Sequence, residues 1–149
     1  MKEKNTYKDD ISIPKEAIIY YSKTALLFSL AFYVGIILLG IYFIYNEDYF
    51  GLLFLGLGTY SIYIQIKKLR DKRPQIIINA EGIKLKDEDL VSWENIKNER
   101  IFTKFRRYSS TNYFGFNDKQ IEIGELDIHF DNLENLLHVY RVRFENNNS

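Results

Sequence analysis

Two uninterrupted apolar runs dominate the chain. Residues 24–45, TALLFSLAFYVGIILLGIYFIY, hold 22 positions without a charge. A helix of that length extends roughly 33 Å, about the thickness of a bilayer's hydrocarbon core. Residues 50–66, FGLLFLGLGTYSIYIQI, add 17 uncharged positions. That helix extends roughly 26 Å, near the lower limit for a span. The polar stretch NEDY separates the two. This pattern predicts a transmembrane helical hairpin. A secretory signal peptide fits badly, because the first run is too long and a second follows at once. A soluble hairpin that is apolar all round would need a protein shell, and the remaining chain is too polar to supply one.

Beyond Pro74 the periodicity changes. QIIINA reads as an apolar strand, Glu81-Gly82 as a turn signal, and IKLKD alternates with period two. DEDLVSWENIK resumes with Leu90, Val91 and Trp93. NERIFTKFRRY follows, with Ile101, Phe102 and Phe105 apolar, SSTN breaks it, and YFGF, a turn at Asn117-Asp118 and QIEIGELDIHF give further strand. Asp131-Asn132-Leu133-Glu134 has the form of a capping box. Leu133, Leu136, Leu137, Tyr140 and Phe144 then keep helical spacing. The predicted fold class is a membrane α-helical hairpin plus an α+β module of antiparallel strands closed by a C-terminal helix. Its divisions are 1–23, 24–66 and 67–149.

Charge adds orientation. The chain of 149 residues has a formal net charge of zero, which argues against nucleic acid as a partner. Positive residues are nevertheless concentrated at one seam: Lys67, Lys68, Arg70, Lys72 and Arg73 directly follow the second run. Lys15 and Lys23 precede the first run, with Lys2, Lys4 and Lys8 further out, whereas the connecting turn carries Glu47 and Asp48. The positive-inside bias then places both termini in the cytoplasm. The same cluster could hold anionic lipid headgroups. Tyr20, Tyr21, Tyr42, Tyr45, Tyr49 and Tyr63 fall near the expected interfaces. Ala31 and Gly35, with Gly51, Gly56 and Gly58, suggest close helix packing.

The stretch RPQIIINAEGIKLKDEDLVSWENIKNERIF resembles small bacterial two-pass membrane proteins with a pleckstrin-homology-like C-terminal domain. The matching elements are the Pro-led strand from Pro74 to Ala80, Glu81-Gly82, the second strand from Ile83 to Lys86, and Val91-Ser92-Trp93-Glu94-Asn95-Ile96. Tyr20 to Lys23, YYSK, resembles the segment before the first span. The resemblance implies a bent antiparallel sheet capped by a helix, in a multi-pass protein of the bacterial inner membrane. Residues 74–149 are short for seven strands. Either strands are missing, or ISIPKEAIIYY before the first run contributes one.

Candidate chemistry is sparse. With no cysteine, disulfides, thiolate metal sites and a cysteine nucleophile are excluded. His129 and His138 lack an acidic cluster and make a poor metal site. No nucleophile–base arrangement or glycine-rich phosphate loop is legible, so no enzyme and no cofactor are expected. Trp93 is expected to be structural, and Asp87-Glu88-Asp89 a solvated hairpin turn. Lys104, Phe105, Arg106, Arg107 and Tyr108 admit two readings. They form a strand with one charged and one buried aromatic face, or a surface that docks a partner. The functional expectation is a non-enzymatic membrane protein whose module contacts another protein, itself, or the bilayer surface. The competing expectation is an immunity protein that neutralises a toxin at the inner membrane.

Overall fold

The computed structural model describes residues 12–107 and 109–148. The chain forms two compact units, one of residues 21–72 and one that joins the segment before residue 21 to residues 73 onward.

The first unit is a helical hairpin. Helix α1 runs Lys23–Tyr45 and α2 runs Phe50–Arg70, and both are long and apolar enough to cross a membrane. Ser22 caps α1 by accepting from the Ala25 amide at 3.3 Å. Asp48, in the connecting turn, accepts from the Phe50 amide at 3.0 Å and ties the start of α2. The seam between the helices passes through Gly40, Gly51 and Gly58. A methyl group on Gly51 would stand 2.5 Å from the Gly40 carbonyl oxygen, and one on Gly58 would stand 2.6 Å from the Ile37 side chain. Phe43 and Phe54 stack beside this seam with ring centres 5.6 Å apart. Gly35 and Gly56, expected to serve close packing, face open space instead. Spacing alone identified small residues without saying which lie on the facing side.

The second unit is built of two antiparallel sheets and a helix. Strands β1 (Glu16–Ile19), β2 (Ile76–Asn79), β3 (Gly82–Leu85) and β4 (Val91–Ser92) form a four-stranded sheet in that order. Strands β5 (Arg100–Arg106), β6 (Ser109–Phe116) and β7 (Lys119–Glu122) form a three-stranded sheet. Helix α3 (Phe130–Asn147) follows. The segment before the helical hairpin therefore does contribute a strand. β1 pairs with β2 across the whole hairpin insertion, placing Ala17 opposite Ile78 and Ile19 opposite Ile76. Alternation then delivers two apolar rows to the core, Ala17–Ile78–Ile83 and Ile19–Ile76–Leu85, all buried. Phe114, Leu133, Leu137 and Tyr140 are among the other side chains buried in this core.

Three polar devices fix this unit. Asn79 turns the chain between β2 and β3 by accepting from the amides of Glu81 and Gly82 at 3.0 and 3.1 Å. Gly82 is required there by crowding, since a methyl group would overlap the Val91 carbonyl oxygen. Trp93 begins a short 3₁₀ turn, Trp93–Asn95, and is buried, with its indole N–H donating to the Asn79 carbonyl at 2.9 Å. The C-terminal helix grips the N-terminal segment: the Tyr140 hydroxyl and Arg143 Nη1 both donate to the Pro14 carbonyl at 2.7 Å, and Arg143 Nη2 donates to Ile13 O at 2.9 Å.

Three local expectations are corrected. SSTN does not break the strand, because β6 runs through it and pairs Asn112 with Thr103 and Ser110 with Phe105. QIEIGELDIHF is strand only as far as Glu122, after which turns lead to α3. Asp131 is not the cap of α3. The N-cap is His129, without a side-chain capping bond, and Asp131 sits in the first turn, 3.5 Å from His129 Nδ1. There its charge complements the positive end of the helix dipole.

Candidate functional site

The basic seam is divided between the two units. Helix α2 continues past the apolar run, so Lys67, Lys68 and Arg70 lie on its last turn, where cations offset the negative helix end. Lys72 is in the link, and Arg73 belongs to the sheet unit, where its Nη1 meets Asp87 Oδ1 at 2.7 Å. The acidic run is likewise more than a solvated turn. Asp87 pairs with Arg73, and Glu88 forms a close ion pair with Lys119. Asp87 also takes a positive φ of 59°, which lets the β3–β4 connection turn tightly.

These contacts define one end of the sheet unit. Here the chain leaves β1 for α1 and returns from α2 into β2. The Arg73–Asp87 pair and the bond from the Lys86 amide to Gln75 O, at 3.0 Å, bind the β3–β4 connection to that return. The Lys119–Glu88 pair brings in the β6–β7 turn. That turn is a two-residue loop with Asn117 and Asp118 at φ of 46° and 65°. Asn117 fixes it through three bonds. Its amide donates to Lys97 O at 3.1 Å, its Oδ1 accepts from Lys97 N at 2.7 Å, and its Nδ2 donates to Asn95 O at 2.6 Å. An open groove of about 800 Å³ lies alongside, lined by Lys97, Arg100, Phe102, Gly115, Asn117 and Lys119 among others.

The opposite end is the β5–β6 hairpin tip. Cross-strand register assigns its faces. Ile101 lies opposite Phe114, Thr103 opposite Asn112 and Phe105 opposite Ser110, so these residues share the core-facing side. Phe114 is fully buried, Thr103 and Asn112 are joined by a 2.7 Å hydrogen bond, and Phe105 is 82% exposed. The expected buried aromatic face thus fails at Phe105. The ring points to the correct side, but the hairpin extends past the core that would cover it.

The other face carries Arg100, Phe102, Lys104 and Arg106. Phe102 stacks on Tyr113 with ring centres 5.9 Å apart. Arg100 lies 5.1 Å from the Phe102 ring centre, and the Lys104 ammonium lies 4.8 Å from that of Tyr113. Lys104 also donates to Gln120 Oε1 at 2.7 Å. This outward aromatic pair is not legible in the sequence, where Ile101 and Phe102 are simply adjacent apolar residues. The register shows the two on opposite faces. Tyr108, the last of the five candidates, lies outside the described residues. Lys104, Phe105, Arg106 and Arg107 are brought together on one hairpin end, well apart from Lys67, Lys68 and Arg70 in sequence and in a different unit from them.

Trp93 sits at neither end. It lies under Arg141, whose guanidinium carbon is 5.5 Å from the indole centre and whose Nη2 pairs with Glu99 Oε2 at 2.7 Å. Among the described residues no group of three or more His, Asp or Glu side chains is arranged to hold a metal ion.

Comparison with protein-family models, with curated proteins and with solved structures returns no match for this chain.

Proposed function

We propose that the chain is a two-pass, non-catalytic membrane protein of the bacterial inner membrane. Its sheet unit is a pleckstrin-homology-like interaction module in the cytoplasm. The observation that carries this reading is the pairing of β1 with β2. β1 precedes the hairpin and β2 follows it, yet they share a sheet. If α1 and α2 cross a bilayer, both ends of the chain must lie on one side. An even number of spans meets that condition, and the basic flanks favour the cytoplasmic side. The order of four strands, three strands and a C-terminal helix supports the pleckstrin-homology-like assignment. The interaction role draws on the exposed aromatic and cationic hairpin tip rather than on any catalytic arrangement.

The cysteine-free sequence gives a direct test. Single variants Lys15→Cys, Tyr45→Cys and Glu145→Cys, in the full chain, are exposed to a membrane-impermeant maleimide on intact cells. Labelling is expected at position 45 alone, with positions 15 and 145 reacting only after lysis. Labelling of 15 and 145 on opposite sides would contradict a shared sheet in the membrane-bound protein. Release of the chain by carbonate washing would sink the membrane reading itself.

A further inference from the structure

β5 stands at one edge of the three-stranded sheet and is the longest edge strand of the sheet unit. It has seven residues, against four in β1, two in β4 and four in β7. Its register with β6 is unbroken by a bulge, and RIFTKFR contains no proline. Where its backbone points follows from its neighbour. The Ile123 amide donates to Asn112 O at 3.0 Å, so Asn112 turns its backbone towards β7 and away from β5. Asn112 lies opposite Thr103. Backbone groups alternate sides along a strand. The amides and carbonyls of Ile101, Thr103 and Phe105 therefore point away from β6, into the edge. Those of Phe102 and Lys104 are taken up by the ladder to β6. Among the described residues no backbone group answers the outward row.

Such an edge invites another strand, and proteins blunt it with proline, a bulge or charge. β5 has only the charge, and it is of one sign. Arg100, Arg106 and Lys104, which donates to the uncharged Gln120, lie on the outer face. Ile101 and Phe105 lie on the core-facing side, with Phe105 82% exposed. Charge of one sign repels a like strand and admits an opposite one. A full-length antiparallel overlap with a second β5 would set Arg100 opposite Arg106, and like charges directly opposite are destabilising. A bilayer surface can neutralise cations but offers no row of alternating carbonyls and amides. An extended segment with an acidic residue at every second position satisfies both the charge and the backbone. Its intervening apolar residues would lie beside Ile101 and Phe105 and cover the exposed ring.

We infer that the β5 edge takes up, as an added strand, an extended segment of another protein in which acidic and apolar residues alternate. Main-chain bonds to Ile101, Thr103 and Phe105 supply the affinity, and the cations select the segment. This rests on reading the sheet unit as an interaction module, and it adds how the partner is held and what pattern it carries.

The test uses the full chain in lipid nanodiscs, with the synthetic peptide Val-Glu-Val-Glu-Val-Glu-Val as the probe and amide exchange read residue by residue. Saturating peptide should slow exchange at Ile101, Thr103 and Phe105 by about tenfold or more, while Phe102 and Lys104, already bonded to β6, change little. The same peptide with Lys in place of Glu should leave all of them unchanged. Thr103→Pro removes one outward amide without touching the ladder to β6, and should weaken peptide binding by about tenfold. Thr103→Val loses the same side-chain bond to Asn112 but keeps the amide, and should bind as the parent does. Emission from Trp93, the one tryptophan, reports whether each variant keeps its fold. Should Thr103→Pro unfold, the alternating protection in the parent decides alone. Uniform protection along β5, equal binding of the two peptides, or Thr103→Pro binding as well as Thr103→Val would overturn the inference. So would protection of the outward amides before peptide is added, which would mean that lipid, a second copy or the chain itself covers the edge. Protection confined to other strands of the sheet unit would remove the edge and leave the interaction module standing. If no amide responds, the edge falls, and p-benzoylphenylalanine at Lys84 and Glu122 in the native membranes decides the module. Adducts with a second protein there would keep it, and their absence would remove it too.

Discussion

The two hairpin ends of the three-stranded sheet differ in how firmly their residues are bound into the fold. At the β6–β7 end, Asn117 commits its amide and both side-chain polar atoms to its neighbours, and Lys119 is engaged by Glu88. At the β5–β6 end, Phe105 has no core beneath it and the adjoining cations face outward. One end is bound to the neighbouring strands and turns, and the other carries a ring that no core covers. A side chain's type therefore says little about its role until the depth of the core beneath it is known.

Substitutions can break this comparison, and the largest effect is expected inside the fold. Trp93→Ala should destabilise the sheet unit by about 3–5 kcal/mol, since it removes a buried ring and leaves the Asn79 carbonyl without its donor. Thermal melts followed by circular dichroism would measure it, and an unchanged midpoint would contradict the burial. Asn117→Ala should cost about 1–3 kcal/mol. It removes two side-chain bonds and places a residue with a Cβ but no polar side chain at positive φ. Loss of the bond that the Lys97 N–H donates to Asn117 Oδ1 would appear as faster amide exchange at Lys97.

A smaller effect is expected where α3 grips the N-terminal segment. Tyr140→Phe deletes the bond to Pro14 O and should cost about 1 kcal/mol. Burial pushes the Tyr140 hydroxyl above its usual range, against the opposing pull of Arg143. Its folded form thus holds the proton more tightly than its unfolded form does. The associated stability is complete at neutral pH and is lost as pH rises through the alkaline range above about 10. Tyr140→Phe should flatten that alkaline loss, and an identical decline in both proteins would point to other groups. The smallest effect is expected at the tip. Phe105→Ser should change stability by no more than about 0.5 kcal/mol. A loss of several times that size would mean the ring is covered in the folded protein, and the contrast between the ends would disappear.

The apolar runs were legible because their length without a charge reads directly as helix, and both helices are long and apolar enough to cross a membrane. Helix α3 was legible from the recurrence of Leu133, Leu137 and Tyr140, all of which prove buried. The β6–β7 turn was legible because Asn and Asp tolerate positive φ. Other features were hidden for definite reasons. β1 is four residues long, EAII, and only its partner across the hairpin makes it a strand. Gly40 lies at the helix seam, but a glycine's spacing does not reveal what faces it. Alternation assigned Phe105 to a face correctly, but alternation carries no information on where the core stops. The grip of Tyr140 and Arg143 on Pro14 and Ile13 joins positions more than a hundred residues apart, beyond any local pattern.

The interrupted sheet has a consequence for how the chain is made. Ile18 and its partner Ile77 are separated by the entire hairpin, so β1 leaves the ribosome long before anything can pair with it. Closing so long a loop is entropically costly for a free chain and slows folding. In a bilayer, paired insertion of α1 and α2 would bring the two strands to the same side and shorten the search. A chain that inserted only one helix would strand β1 across the membrane and leave β2 as a bare apolar edge, open to aggregation. Completion of the four-stranded sheet would then depend on both helices having inserted.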